Sequence, residues 1–159
     1  MLLSEVITAV KQVARRPVVV KLSPNVSAIE PLARAAESGG ADALSLVNTF
    51  VALAIDPHTR KPRLGAGLGG LSGPAIKPIA LRLVLQAARA VRIPVVGLGG
   101  IASGTDAAEF LIAGASAVQV GTATFWDPRA PLRIARELSQ FLRRQKIGSV
   151  KELVGSIKL

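Results

Sequence analysis

Few residues in this chain suit chemistry, and the most suggestive are glycines. Two short valine-rich runs, Pro94–Leu98 and Ala117–Val120, are followed by Gly99-Gly100 and Gly121-Thr122. Glycine at a strand end lets a ligand come close to the backbone, and bare N–H groups beside a helix N-terminus attract phosphate. Lys21 stands near the end of a third apolar run, Pro17–Leu22. A lysine so placed either faces an anionic ligand or snorkels from the strand end into water, and the sequence alone leaves both open. Asn48-Thr49 follow the run Ala43–Val47. Their amide and hydroxyl suit a planar polar substrate, and equally suit a turn. Nucleophilic catalysis finds less support. Ser72 and Thr122 have no evident activating base. The sequence contains no cysteine, which removes disulfides, thiolate nucleophiles and cysteine metal sites. The single histidine, His58, lies in a polar loop, so no metal site is expected.

Alternating strands and helices must position these groups. Leu2–Ala14 has Leu3, Val6, Ile7, Val10 and Val13 on one helical face. Pro17–Leu22 reads as a strand. Ser27 with Glu30 three residues on predicts a capped helix that stops at Gly39-Gly40. Ala43–Val47 is the next strand. Pro74–Val91 is a long helix with Ile76, Ile79, Ala80, Leu83, Val84 and Ala87 inward. Pro94–Leu98, a helix capped by Ser103 and Asp106 and stopped at Gly114, and Ala117–Val120 make a βαβ unit. Asp127-Pro128 reads as the cap and first position of a helix reaching about Arg144. A short tail helix follows near Ser149–Val154. The alternation predicts a single α/β domain over 1–159 with about four parallel strands. Two successive glycine-ended strands resemble the phosphate grip at the last two strands of a (β/α)8 barrel. Four such units make half a barrel, and the outer strands would be open edges.

The segment 50–73 breaks the rhythm. It carries Asp56-Pro57, His58, a basic cluster and five glycines between Gly65 and Gly73. A long loop after a strand, on the ligand side of such a sheet, reads as an active-site lid or substrate loop, with a disordered insertion as the alternative. Gly65–Gly70 fits G-x-G-x-x-G but follows a loop, not a strand. Gly97–Ala102 is better placed, yet no acidic residue ends the next strand to hold a ribose, which argues against NAD in a Rossmann crevice.

Composition narrows the classes further. Half of the 159 residues are hydrophobic and aromatics are scarce, so the core must be aliphatic. No apolar run reaches membrane-spanning length, and a cytoplasmic protein is expected. The net charge of +10 comes from 20 basic and 10 acidic residues in short dispersed clusters. Without interleaved aromatics these do not form a nucleic-acid footprint.

Five segments together resemble one family: VVVKLSPN (Val18–Asn25), SLVNT (Ser45–Thr49), GGLSGPAIKPIALR (Gly69–Arg82), PVVGLGGI (Pro94–Ile101) and GASAVQVGTA (Gly114–Ala123). They resemble dihydroorotate dehydrogenase, in register over nearly the whole chain, and most of all its cytosolic class 1 form with a separate electron-transfer subunit. The flavin domain of dihydropyrimidine dehydrogenase is similar to a lesser degree. The resemblance implies the C-terminal half of a (β/α)8 barrel with FMN at its mouth, and oxidation of dihydroorotate to orotate in pyrimidine synthesis. Lys21 would lie beside the flavin ring, Val47 would touch it through its backbone, and Gly73 would contact FMN. Gly99, Gly100, Gly121 and Thr122 would bind the phosphate and ribityl end. Asn48 and Thr49 would hold the pyrimidine. The family's base, a cysteine in this class and a serine elsewhere, lies upstream of the matched segments, so no catalytic base is assigned here. A missing base typically costs about 10²–10⁴-fold, and an isolated half-barrel is expected to be inactive. The implied partners are an iron–sulfur/FAD electron-transfer subunit and, for the open edges, a second copy or the missing N-terminal half. A non-catalytic flavin- or phosphate-binding half-barrel and a dihydropyrimidine dehydrogenase-like enzyme are the alternatives.

Overall fold

The computed structural model describes residues 2–158, so Met1 and Leu159 of the expected 1–159 domain lie outside the described residues. Its centre is one parallel sheet of β1 (Val19–Lys21), β2 (Ala43–Leu46), β7 (Val95–Leu98) and β8 (Ala117–Gln119), in the order β1-β2-β7-β8. Lys21 lies level with Ser45, Ser45 with Val96, and Leu98 with Gln119. The helices α1 (Leu2–Val13), α2 (Glu30–Ser38), α3 (Lys77–Ala90), α4 (Gly104–Ile112) and α5 (Ala130–Arg144) supply the other layer.

Alternation along the strands separates two faces. Leu44, Leu46 and Val95 are fully buried with Ala33, Ala80, Val84 and Phe110 from the helices. A side chain at Gly97 would put its Cβ 2.7 Å from the ring of Phe110, so glycine there is what lets α4 press on the sheet. The other face is open. Val19 is 51% exposed, and Lys21, Ala117 and Gln119 are also exposed. Parallel sheets are normally covered on both sides. A four-stranded parallel sheet with helices on one side and a bare inner face is half of a (β/α)8 barrel.

Several elements depart from the sequence expectations. The Ser27–Glu30 cap does not form: α2 begins at Glu30 behind Ile29, whose φ of −89° and ψ of −28° lie outside the extended region that side-chain capping needs. Pro31 fixes that first turn instead. Asp127 and Pro128 likewise precede α5, which starts at Ala130 with no side-chain cap. The Asp127 carboxylate accepts from the Arg129 N–H at 3.0 Å and closes a turn before the helix. Pro74–Ile76 is a separate 3-10 turn before α3, and the tail forms a 3-10 turn at Val150–Glu152.

The segment 50–73 is more ordered than a loop. β3 (Phe50–Ala52) pairs antiparallel with β6 (Gly69–Leu71), and β4 (Ile55–Asp56) with β5 (Lys61–Pro62), making an arm of two short ladders. Gly70 is needed where the arm crosses its own root, because a Cβ there would collide with the Thr49 hydroxyl.

Candidate functional site

A cleft of about 340 Å³ opens at the C-terminal ends of the four strands. All nine residues singled out from the sequence line it: Lys21 at the end of β1, Val47, Asn48 and Thr49 after β2, Gly73 at the foot of the arm, Gly99 and Gly100 after β7, and Gly121 and Thr122 after β8. Parallel strands gather their C-terminal ends at one edge, so residues far apart in the chain meet there.

One wall is backbone. Gly73, Gly99 and Gly100 have φ of +89°, +134° and +79°, a region that favours glycine. A Cβ at Gly99 would lie 2.6 Å from Ala80 Cβ, and one at Gly100 would lie 2.7 Å from the Gly73 carbonyl oxygen. At Gly121 a Cβ would meet nothing within 4 Å and would project into open space. Among the described residues, the N–H groups of Gly100, Gly121 and Thr122 donate to no backbone carbonyl and no side chain outside the strand ladders, while Gly99 directly follows the last β7–β8 pair, Leu98 with Gln119. Donors left open around one cleft are the setting in which an anion binds.

The α4 N-terminus, by contrast, is not offered to a ligand. Asp106 Oδ2 accepts from Ala102 N–H at 2.9 Å and from Ser103 N–H at 2.8 Å, Ser103 Oγ accepts from Asp106 N–H at 3.1 Å, and Glu137 accepts from Gly104 N–H at 2.7 Å. The expected capping box is present, and it uses up the amides that a helix terminus would otherwise present. Lys77 Nζ reaches Asp106 at 2.6 Å and Glu109 at 2.9 Å. Burial pushes the Asp106 carboxyl up, but bonds from Lys77, Ala102 and Ser103 outweigh it and hold it below the ordinary aspartate value. Burial likewise pulls the Lys77 ammonium down, and its two carboxylate partners more than restore it.

The opposite wall carries side chains. Lys21 is exposed and makes no ion pair among the described residues, so its charge is available to the cleft. Asn48 Oδ1 accepts from Thr49 N–H at 2.9 Å. Asn25 holds this wall in place: its Nδ2 donates to the Thr49 carbonyl at 3.0 Å and its Oδ1 accepts from Val51 N–H at 2.8 Å. One side-chain amide thus imitates a strand partner at the root of the arm. The other root is tied by Thr122 Oγ1, which donates to Ser72 Oγ at 2.9 Å. That contact gives Ser72 a structural partner and no base.

Sequence reasoning missed several cleft residues. Gln119 lines the floor, bonded to the buried Ser45 hydroxyl at 3.0 Å. Phe125 and Trp126, 89% and 57% exposed, stand at the rim. A polar residue near the end of an apolar strand signals Gln119. The adjacent aromatics in a chain nearly without them signal Phe125 and Trp126. Among the described residues no helix is long and apolar enough to cross a membrane, and no cluster of acidic or histidine side chains could hold a metal.

The chain's matches to known proteins agree on the family. A family model described as dihydroorotate dehydrogenase matches residues 1–142. A protein of Solibacter usitatus, named as a dihydroorotate dehydrogenase A (fumarate), is 76% identical over 99% of this chain and 52% of its own length. The dihydroorotate dehydrogenase B (NAD(+)) catalytic subunit of Citrifermentans bemidjiense is 55% identical over 98% of this chain and 51% of its own. The corresponding subunit of Porphyromonas gingivalis is 54% identical over 97% and 50%. The chain therefore spans about half the length of the curated relatives it matches.

Proposed function

Because the chain belongs to the dihydroorotate dehydrogenase family, we propose that its cleft is the phosphate and pyrimidine side of an FMN site, serving oxidation of dihydroorotate to orotate in pyrimidine synthesis. The observation that carries this reading is the convergence of the nine expected residues, from four strand ends and the foot of the arm, on one cleft. The cleft suits a flavin nucleotide: open N–H donors at Gly100, Gly121 and Thr122 for the phosphate end beside the Gly99 backbone, room beside Gly121, and a free cation at Lys21.

When bound, FMN supplies the hydride acceptor for this oxidation. The chain's own residues bind and orient. The Gly99-Gly100 and Gly121-Thr122 backbones would hold the phosphate end, with the Gly73 and Val47 backbones along the flavin. Lys21 places a fixed positive charge where negative charge grows in the transition state. Asn48 and Thr49 hold the planar pyrimidine, steadied by Asn25. The C5 proton of dihydroorotate needs a base from outside these residues. The sequence has no cysteine, and Ser72 is engaged by Thr122. The base is assigned to the part of the longer relatives that this chain does not match, which would also cover the open inner face and edges of β1 and β8. A second copy of the chain is the other candidate for that face. The protein is placed in the cytoplasm. The relatives' names divide over the acceptor, fumarate or NAD(+), and the acceptor of this protein is assigned to an iron–sulfur/FAD partner subunit.

Anaerobic mixing of dihydroorotate with the FMN-loaded protein, completed by the segment that supplies the base, tests the reading. Bleaching of the flavin absorbance is the expected result. Bound flavin that stays oxidised contradicts turnover and leaves a non-catalytic flavin-binding half-barrel. Bleaching reversed by uracil but not by orotate would favour the dihydropyrimidine dehydrogenase-like alternative.

A further inference from the structure

The two glycine loops that would share the phosphate hang from neighbouring strands. The β7–β8 ladder ends at Leu98 opposite Gln119, just before both loops begin. Beyond that point no backbone hydrogen bond joins Gly99–Ser103 to Gly121–Asp127 among the described residues. Two loops without a ladder need another tie if their amides are to keep one spacing.

Arg133, in the first turns of α5, makes that tie. Its Nη1 and Nη2 each donate to the Ala102 carbonyl at 3.2 Å, in the loop that follows Gly99-Gly100. Its Nε donates to Asp127 Oδ2 at 2.9 Å, in the segment that follows Gly121-Thr122. Its Nη1 also reaches Glu137 Oε1 at 2.8 Å, and the other oxygen of Glu137 accepts from Gly104 N–H at 2.7 Å. Gly104 is where α4 and α5 touch, since a Cβ there would strike the Glu137 side chain and the Leu138 backbone. A planar guanidinium offers five donors in a fixed fork and can serve three acceptors at once; a lysine ammonium has no such fork. Bonds from a charged donor to carboxylates are the stronger kind.

We propose that Arg133 is a positioning residue for the nucleotide phosphate: it locks the loop after β7 to the segment after β8, and so sets the distance between the Gly99-Gly100 and Gly121-Thr122 amides. The proposal rests on the flavin reading of the cleft. It concerns only the phosphate half of the ligand, which gives it a distinctive signature. Losing the clamp weakens FMN and leaves riboflavin, the same flavin without phosphate, unaffected.

The test is paired titration of the protein with FMN and with riboflavin, followed by quenching of flavin fluorescence, for wild type, Arg133→Gln and Arg133→Lys. The expected result is a rise of about tenfold in the FMN Kd for both variants, equivalent to about 1.4 kcal/mol, with the riboflavin Kd unchanged. Asp127→Ala, which removes one end of the clamp, shifts FMN in the same direction by less, and it carries the test if Arg133→Gln does not fold. Equal weakening of both flavins, or no change in either, overturns the clamp while the flavin site stands. A wild-type protein that binds neither flavin overturns both.

Discussion

The two walls of the cleft are built by different means. The wall after β7 and β8 is backbone, with Gly99 and Gly100 in conformations and contacts that admit no side chain and loops locked by the Arg133 and Lys77 ion pairs. The wall after β1 and β2 is side chain: Lys21, Asn48 and Thr49, steadied by the neutral amide of Asn25. Above it stands an arm whose Val51, Leu53, Ile55, Leu64, Leu68 and Leu71 are exposed. In the proposed reading, backbone donors recognise a phosphate that every flavin nucleotide shares, and side chains recognise the one molecule being oxidised. The first wall therefore has little freedom to vary, and the second can be retuned by substitution.

That contrast can be broken by mutation. The largest effect is expected at Gly100. Alanine there must adopt a φ of +79° with its Cβ 2.7 Å from the Gly73 carbonyl, a strain of about 1–3 kcal/mol. Melting temperature should fall and FMN binding should be lost. Gly121→Ala, which meets nothing within 4 Å, should leave the melting temperature unchanged and weaken FMN only. Equal destabilisation by the two variants would contradict the account of this wall. On the other wall, in the protein completed by the segment that supplies the base, Lys21→Gln should lower dihydroorotate turnover by about 10²–10³-fold, the usual cost of one donor aimed at developing charge. FMN binding should barely change, and a parallel loss of both would place Lys21 at the phosphate instead.

Smaller effects sharpen the contrast. Asn25→Ala removes two hydrogen bonds from the root of the arm, worth about 1 kcal/mol each. Its KM for dihydroorotate should rise more than its kcat falls, and a change in the FMN Kd would argue against confinement to the pyrimidine wall. The Lys77–Asp106 pair gives the backbone wall a pH signature. The Asp106 carboxyl is held below its ordinary value of 3.8, so its stabilisation is present above that pH and lost as pH falls through the lowered value. Asp106→Asn should flatten the acid side of a melting-temperature profile. A profile as steep as wild type would mean other carboxylates govern it. The smallest effect is expected at Leu68→Gln on the exposed arm, within about 0.5 kcal/mol of wild type.

How far the sequence could be read follows the same division. The sheet, its parallel sense and the strand-end glycines were legible because buried valine runs and glycine carry strong local signals. The capping box at Ser103 and Asp106 was legible for the same reason, since both partners lie within one turn. The Ser27–Glu30 pattern looks alike and fails, because Ile29 and Pro31 set the first turn of α2. The arm was hidden: its strands of two and three residues are too short for any periodicity to show. Asn25 and Arg133 were hidden because each acts on backbone carbonyls or amides distant in the chain, 24–31 residues away. Composition and spacing do not record such contacts.

The most direct test of the central claim is the visible absorption spectrum of the FMN-loaded protein on addition of orotate. The account predicts a flavin difference spectrum that saturates with orotate, vanishes in Asn48→Ala, and persists in Gly121→Ala once enough FMN is supplied to fill the site. Bound FMN whose spectrum orotate leaves untouched would contradict a shared flavin and pyrimidine cleft.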